Sequence, residues 1–167
     1  MKVPLRGELL AKLSQRYPSV DPVAIDTLNT LKSVSQDMSD RLSDRLGEHG
    51  LTEGKFFVLA YIFMEDLAGH PSPRPSEIAD NVGVTRGTIT GLLDGLERTG
   101  MIERCADPTD RRVLTISMSE KAKAFLDDFL PLVGALMQPL VTDALAPDEQ
   151  GQLLALLTKL ETHLRSR

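Results

Sequence analysis

Between Gly69 and Ser119 the chain is punctuated so densely that only short elements fit, and they must come in one order. Gly69-His70-Pro71-Ser72-Pro73-Arg74-Pro75 places three prolines in seven residues. Each proline removes a backbone donor and pushes the preceding residue out of the helical region, so this segment is a loop. Pro75 itself has the φ of a first helical turn, and a short helix is predicted from Pro75 to about Val82. Gly83 breaks it and Thr85 stands as an N-cap. Ile89, Leu92, Leu93 and Leu96 then keep helical spacing up to Thr99-Gly100. After Gly100 the pattern changes. Met101, Ile102 and Cys105 lead into the polar loop Asp107-Pro108-Thr109-Asp110-Arg111-Arg112, and Val113 to Met118 is β-branched and partly alternating. Two strands around a turn are predicted. Helix, tight turn, helix and hairpin in that order spell a winged helix-turn-helix. The expected fold class is therefore mainly α with a small β-hairpin wing.

Long helical patterns flank this segment. Asp21-Pro22 is a cap followed by a helix-starting proline, and apolar residues recur at Val23, Ile25, Leu28, Leu31, Val34, Met38, Leu42 and Leu46. That helix should end near Gly47. Thr52 can cap a second helix, whose nearly continuous apolar run Phe56–Leu67 suits a buried element. Ser119-Glu120-Lys121 restarts helix, and helical spacing continues across Pro131 and Pro139, each expected to kink or interrupt it. A last Leu-rich helix is expected from Pro147. Three regions follow: 1–50 and 119–167 as helical dimerisation segments, and 51–118 as the winged domain.

Charge excludes some roles and refines others. The net charge of −5 argues against a protein that binds nucleic acid uniformly over its surface. Residues 74–118, however, carry six cations against seven acidic groups, and all six are arginines: Arg74, Arg86, Arg98, Arg104, Arg111 and Arg112. Arginine makes planar, paired contacts to phosphate and guanine, which lysine does not. The longest uncharged stretch, Phe129–Thr142, has 14 residues and two prolines, against the ~18 or more apolar residues a membrane span needs, so no membrane partner is expected. The N-terminus has no signal-peptide pattern, and the single cysteine, Cys105, allows no internal disulfide. Both fit a cytoplasmic protein.

With Ile89, Leu92, Leu93 and Leu96 on the core side of the second short helix, Gly87, Thr90, Gly91 and Asp94 fall on the opposite face, flanked by Arg86 and Thr88. Glycines four apart leave that face bare. Each costs roughly 0.5–1 kcal/mol in a helix interior, so the bareness suits close approach to another surface such as DNA, or else marks a weak surface helix. Arg86 either meets DNA or pairs with Asp94 or Glu97. Arg111 and Arg112 either meet DNA or are solvated turn residues.

The ordered strings Pro75-Ser76-Glu77-Ile78-Ala79, Val84-Thr85-Arg86-Gly87-Thr88-Ile89-Thr90, Gly100-Met101-Ile102-Glu103-Arg104 and Asp107-Pro108-Thr109-Asp110-Arg111-Arg112 closely resemble the MarR (multiple antibiotic resistance regulator) family. The resemblance implies a homodimeric transcription regulator, repressor or activator, on a pseudo-palindromic double-stranded DNA operator. It implies that Thr85, Arg86, Thr88 and Thr90 meet the major groove from the recognition helix, and Gly87, on the bare face, is assigned to the same DNA-binding set. It also implies that Arg112, steadied by Asp110 and accompanied by Arg111, enters the minor groove. A small phenolic or lipophilic anionic effector that releases DNA is a further implication. Two departures stand out: Gly91 and Gly95 occupy positions where many relatives carry Arg or another polar residue, and Arg74 takes the place of a Ser or Thr cap. A dimeric winged-helix interaction module with weak or no DNA binding is the alternative function.

Other chemistry finds little support. There is no Gly-rich phosphate loop, nucleophile motif or metal cluster, so no catalytic, cofactor or metal residues are assigned and no enzyme is expected. His49, His70 and His163 lie far apart. Cys105 precedes the wing with only Arg104 as a neighbouring cation, which is poor support for a redox sensor. Met38, Met64 and Met137 sit at apolar helical positions and are expected in the core or the dimer interface.

Overall fold

The computed structural model describes residues 8–106 and 114–166, with the main chain alone at residues 8 and 9. The chain divides into two compact units, Met1–Glu53 and Gly54–Arg167.

In the first unit, α1 (Glu8–Arg16) packs on α2 (Pro22–Gly47). The sequence reading assigned no element to α1. It is nine residues long, too short for periodicity to be decisive. Asp21 opens α2 as expected: its Oδ1 accepts from the backbone N–H groups of Val23 at 2.8 Å and Ala24 at 3.2 Å. Leu42 and Leu46 are the buried residues of α2, whereas Val23, Leu28, Leu31 and Val34 stay between 40% and 72% exposed. The helix is amphipathic in sequence, but the single chain leaves much of its apolar stripe uncovered.

The second unit is built around one core. α3 (Glu53–Leu67) contributes Phe56, Val58, Leu59 and Ile62, and α4 (Pro75–Val82) contributes Ile78 and Ala79. α5 (Arg86–Arg98) adds Ile89, Leu93 and Leu96, and the hairpin of β1 (Ile102–Ala106) and β2 (Leu114–Met118) adds Ile102 and Ile116. α6 (Glu120–Thr142) completes it with Ala122, Leu126 and Phe129, whose ring meets that of Phe56 edge-on at 5.6 Å. Full burial of each Val, Leu, Ile or Phe side chain among these contributes roughly 1.5–3 kcal/mol. The strands are antiparallel, with Ile102 opposite Met118 and Ala106 opposite Leu114.

Polar ties fix the connections. Ile116 N–H donates to Pro73 C=O at 2.9 Å, which anchors the proline-rich loop to β2. Ser119 caps α6 by accepting from Ala122 N–H at 3.2 Å, while its hydroxyl donates to Gly100 C=O at 2.7 Å. Asn81 Nδ2 donates to the Tyr61 hydroxyl at 3.1 Å. Burial, and then the charges of Glu65 and Glu77, raise the Tyr61 pKa above the ordinary phenol value.

α6 runs unbroken through Pro131 and Pro139, so neither proline interrupts the helix as expected from sequence. Each ring leaves a carbonyl without its donor, that of Asp127 or Ala135. Both prolines and both of these residues are exposed, so the freed groups are not buried unpaired. By length and composition α6 is the one helix among the described residues apolar enough to span a bilayer, with a mean hydropathy of 1.4 over its best window. Ala122, Leu126 and Phe129 nevertheless tie its first half to the core. α7 (Pro147–Arg165) buries none of its residues, and Leu153, Leu154, Leu156, Leu160 and Leu164 are all exposed.

Candidate nucleic-acid interface

The turn between α4 and α5 is set by backbone geometry. Gly83 adopts φ +74°, the left-handed region that a side chain would strain, and Val84 N–H closes back on Ala79 C=O at 3.0 Å. Thr85 follows in extended conformation, and its Oγ1 accepts from Thr88 N–H at 3.1 Å. α5 therefore begins where the sequence placed its cap. α4 also begins cleanly despite Arg74. Arg74 supplies no side-chain acceptor, but its N–H donates to the Glu77 carboxylate at 2.7 Å, which satisfies one orphan donor from the other direction.

Five of the eight sequence-assigned residues lie together on exposed α5 and its cap: Thr85, Arg86, Gly87, Thr88 and Thr90. The hydroxyls of Thr85 and Thr88 lie 2.9 Å apart, and Thr90 Oγ1 donates to Arg86 C=O at 3.0 Å. These threonines spend much of their hydrogen-bonding capacity on their own helix, so their methyl groups and remaining oxygen lone pairs are what they offer to a partner. Arg86 makes no ion pair among the described residues. Its expected alternative partners, Asp94 and Glu97, are both taken by Arg104: its Nη2 bonds the Asp94 carboxylate and its Nη1 lies 3.3 Å from Glu97 Oε2. Asp110, Arg111 and Arg112 lie outside the described residues.

The two unusual glycines separate. A Cβ added at Gly91 would meet nothing within 4 Å, so this position is open surface. Gly95 is buried, and a Cβ there would come within 2.8 Å of Lys55 Cε. It packs against α3 and is not part of the bare outer face, so the two departures from the family pattern are not equivalent. The positional resemblance hid this, because the two lie one helical turn apart and only the packing partner tells them apart. The Arg104 pairing was equally illegible: ten residues and a chain reversal separate it from Asp94.

Other candidates stay quiet. Cys105 is exposed, with Sγ 3.5 Å from Ser117 Oγ. No group of three or more His, Cys, Asp or Glu side chains suited to a metal occurs among the described residues. Met64 is 58% exposed and so does not fill the core of this chain.

Comparison with known proteins agrees with this arrangement. Residues 51–114 match the MarR family. The chain is 35% identical over 118 residues to the HTH-type transcriptional repressor YetL of Bacillus subtilis, covering 71% of this chain and 69% of that protein. It is 34% identical over 119 residues to the transcriptional repressor MprA of Escherichia coli, covering 71% and 65%. Among solved structures, the Staphylococcus aureus MepR–DNA complex superposes with a TM-score of 0.73 at 24% identity, over 81% of this chain and 94% of that one. A mutant Escherichia coli MarR complexed with operator DNA gives 0.72 at 26% identity, over 82% and 94%. With the helix-turn-helix and hairpin in place and the match falling on those residues, the chain belongs to the MarR family.

Proposed function

We propose that this chain is a sequence-specific DNA-binding transcription regulator, a repressor, that acts as a homodimer on a pseudo-palindromic operator. The observation that carries the reading is the exposed face of α5: a Thr85-capped helix presenting bare Gly87 and Gly91 and an Arg86 with no ion pair among the described residues, next to a hairpin. A helix with small residues on its outer face approaches the floor of the major groove closely, and an exposed arginine at its start meets phosphate or guanine. Arg112, with Asp110 and Arg111, reaches the minor groove from the wing. Region 51–118 is the DNA-binding domain. Regions 1–50 and 119–167 form the dimer, a role for which the exposed leucines of α2 and α7 are suited.

Relatives solved with DNA support the ligand class, and relatives named as repressors support the direction of control. A small phenolic or lipophilic anion releases the DNA by favouring a spacing of the two recognition helices that misfits successive major grooves. The test is a fluorescence-anisotropy titration with duplex DNA from upstream of the protein's own gene. Specific binding is expected, and Arg112→Ala should weaken it and reduce the salt slope by about one. A folded dimer that binds no duplex at low salt would falsify the reading and favour the interaction module that the acidic net charge suggests.

A further inference from the structure

We infer that Arg104 is a positioning residue, a strut that sets the angle between the wing and the recognition helix and does not itself contact DNA. The inference rests on the DNA-binding reading above. The hairpin has one inward face, formed by Ile102, Arg104 and Ala106 opposite Met118, Ile116 and Leu114. At its base this face is apolar and sealed: Ile102 is 1% and Ile116 0% exposed. One step further out, Ala106 and Leu114 are both exposed, so among the described residues the apolar seal of this face ends there. Arg104 stands at that transition, paired in register with Ile116. Its guanidinium reaches α5 and divides its two nitrogens between Asp94 and Glu97, one helical turn apart.

A planar fork held by two carboxylates on one helix resists both sliding and rotation, which a single ammonium contact does not. The side chain is 30% exposed against 58% for Asp94 and 42% for Glu97, so solvent screens the pairs and they add little to global stability. Their effect is geometric. Arg104 lies in the middle of β1, so a small rotation here turns the hairpin relative to α5 and Arg86. The clamp has a second consequence. Asp94 lies on the outer face of α5 with Gly87 and Gly91, where its charge opposes phosphate, and Arg104 neutralises it in place.

The experiment has two arms. In the DNA-free protein, amide hydrogen exchange is followed in the hairpin for Arg104→Ala and, from the other side of the clamp, for Asp94→Asn/Glu97→Gln. Exchange in residues 102–106 and 114–118 should rise severalfold in both, with α4 and the buried face of α5 unchanged and the thermal midpoint close to wild type. Unchanged hairpin exchange in both overturns the inference. In the second arm, Arg104→Ala and Arg104→Lys are titrated with a duplex selected by the wild-type protein from a random-sequence pool. About tenfold weaker binding by both, with the wild-type salt slope, supports a strut. A slope reduced by about one in Arg104→Ala and restored in Arg104→Lys identifies a direct phosphate contact and overturns it. Unchanged affinity overturns it too. If the wild type selects no duplex, the regulator reading fails, and hairpin exchange alone still decides whether the clamp holds the wing.

Discussion

Single residues on α5 divide into those that face outward and those that are spent inside the protein. Arg86 and Arg104 are both arginines of the winged segment, yet among the described residues one makes no ion pair and the other is held by two carboxylates. Arg86→Ala should therefore weaken operator binding and lower the salt slope by about one while leaving the melting temperature unchanged. Gly91 faces open space, so Gly91→Ala should raise stability by roughly 0.5–1 kcal/mol through helix propensity. If the bare face serves close approach, the same variant binds operator more weakly, and melting and titration of one preparation separate the two effects. Gly95→Ala meets only the far end of the flexible Lys55 side chain. Displacing that end offsets the propensity gain, and denaturant midpoints should move little. The sequence pattern placed Gly87 and Gly91 correctly on one face. Gly95 was grouped with Gly91 by its position in the family pattern, and such a position does not say what another helix lays across it.

Elements depend on the groups at their ends. The limits of α4 and α5 were legible because Pro75, Gly83 and Thr85 act locally, through φ restriction, a left-handed turn and a side-chain cap. Ser119 does more than sequence suggested. It caps α6 and also donates to Gly100 C=O beyond the end of α5. Ser119→Ala should cost about 1–2 kcal/mol, seen as a melting point lower by several degrees. The α3–α4 contact through Tyr61 should be pH-dependent. Its folded-state pKa is raised, so the folded chain holds that proton more tightly than the unfolded chain does. This contribution is complete below the ordinary phenol value and is lost as pH rises through the raised one. Urea midpoints at stepped alkaline pH should fall less steeply in Tyr61→Phe. α1 escaped the sequence reading because nine residues give too weak a local signal, whereas the helical spacing read across Pro131 and Pro139 is met by an α6 that neither proline interrupts.

For the molecule as a whole, the exposed apolar residues point outward from the single chain. Leu154, Leu156 and Leu164 of α7 are each more than 60% exposed, and α7 buries nothing. A homodimer that covers them should sediment as a dimer, and its melting temperature should rise with protein concentration. Leu156→Asp should shift sedimentation toward monomer, because an unpaired carboxylate in an apolar interface is costly to desolvate. A monomeric wild type across the micromolar range would sink the dimer proposal.

The sequence by itself determined the order of elements from Gly69 to Ser119, the caps and turns that delimit them, and so the family. Those features are set by interactions between residues a few positions apart, which a linear pattern records directly. Only the tertiary structure decided which arginine lacks an ion pair among the described residues, which glycine is buried and that Arg104 pairs with Asp94 and Glu97. Each of these depends on residues distant in sequence meeting in space, and neither periodicity nor composition carries that information.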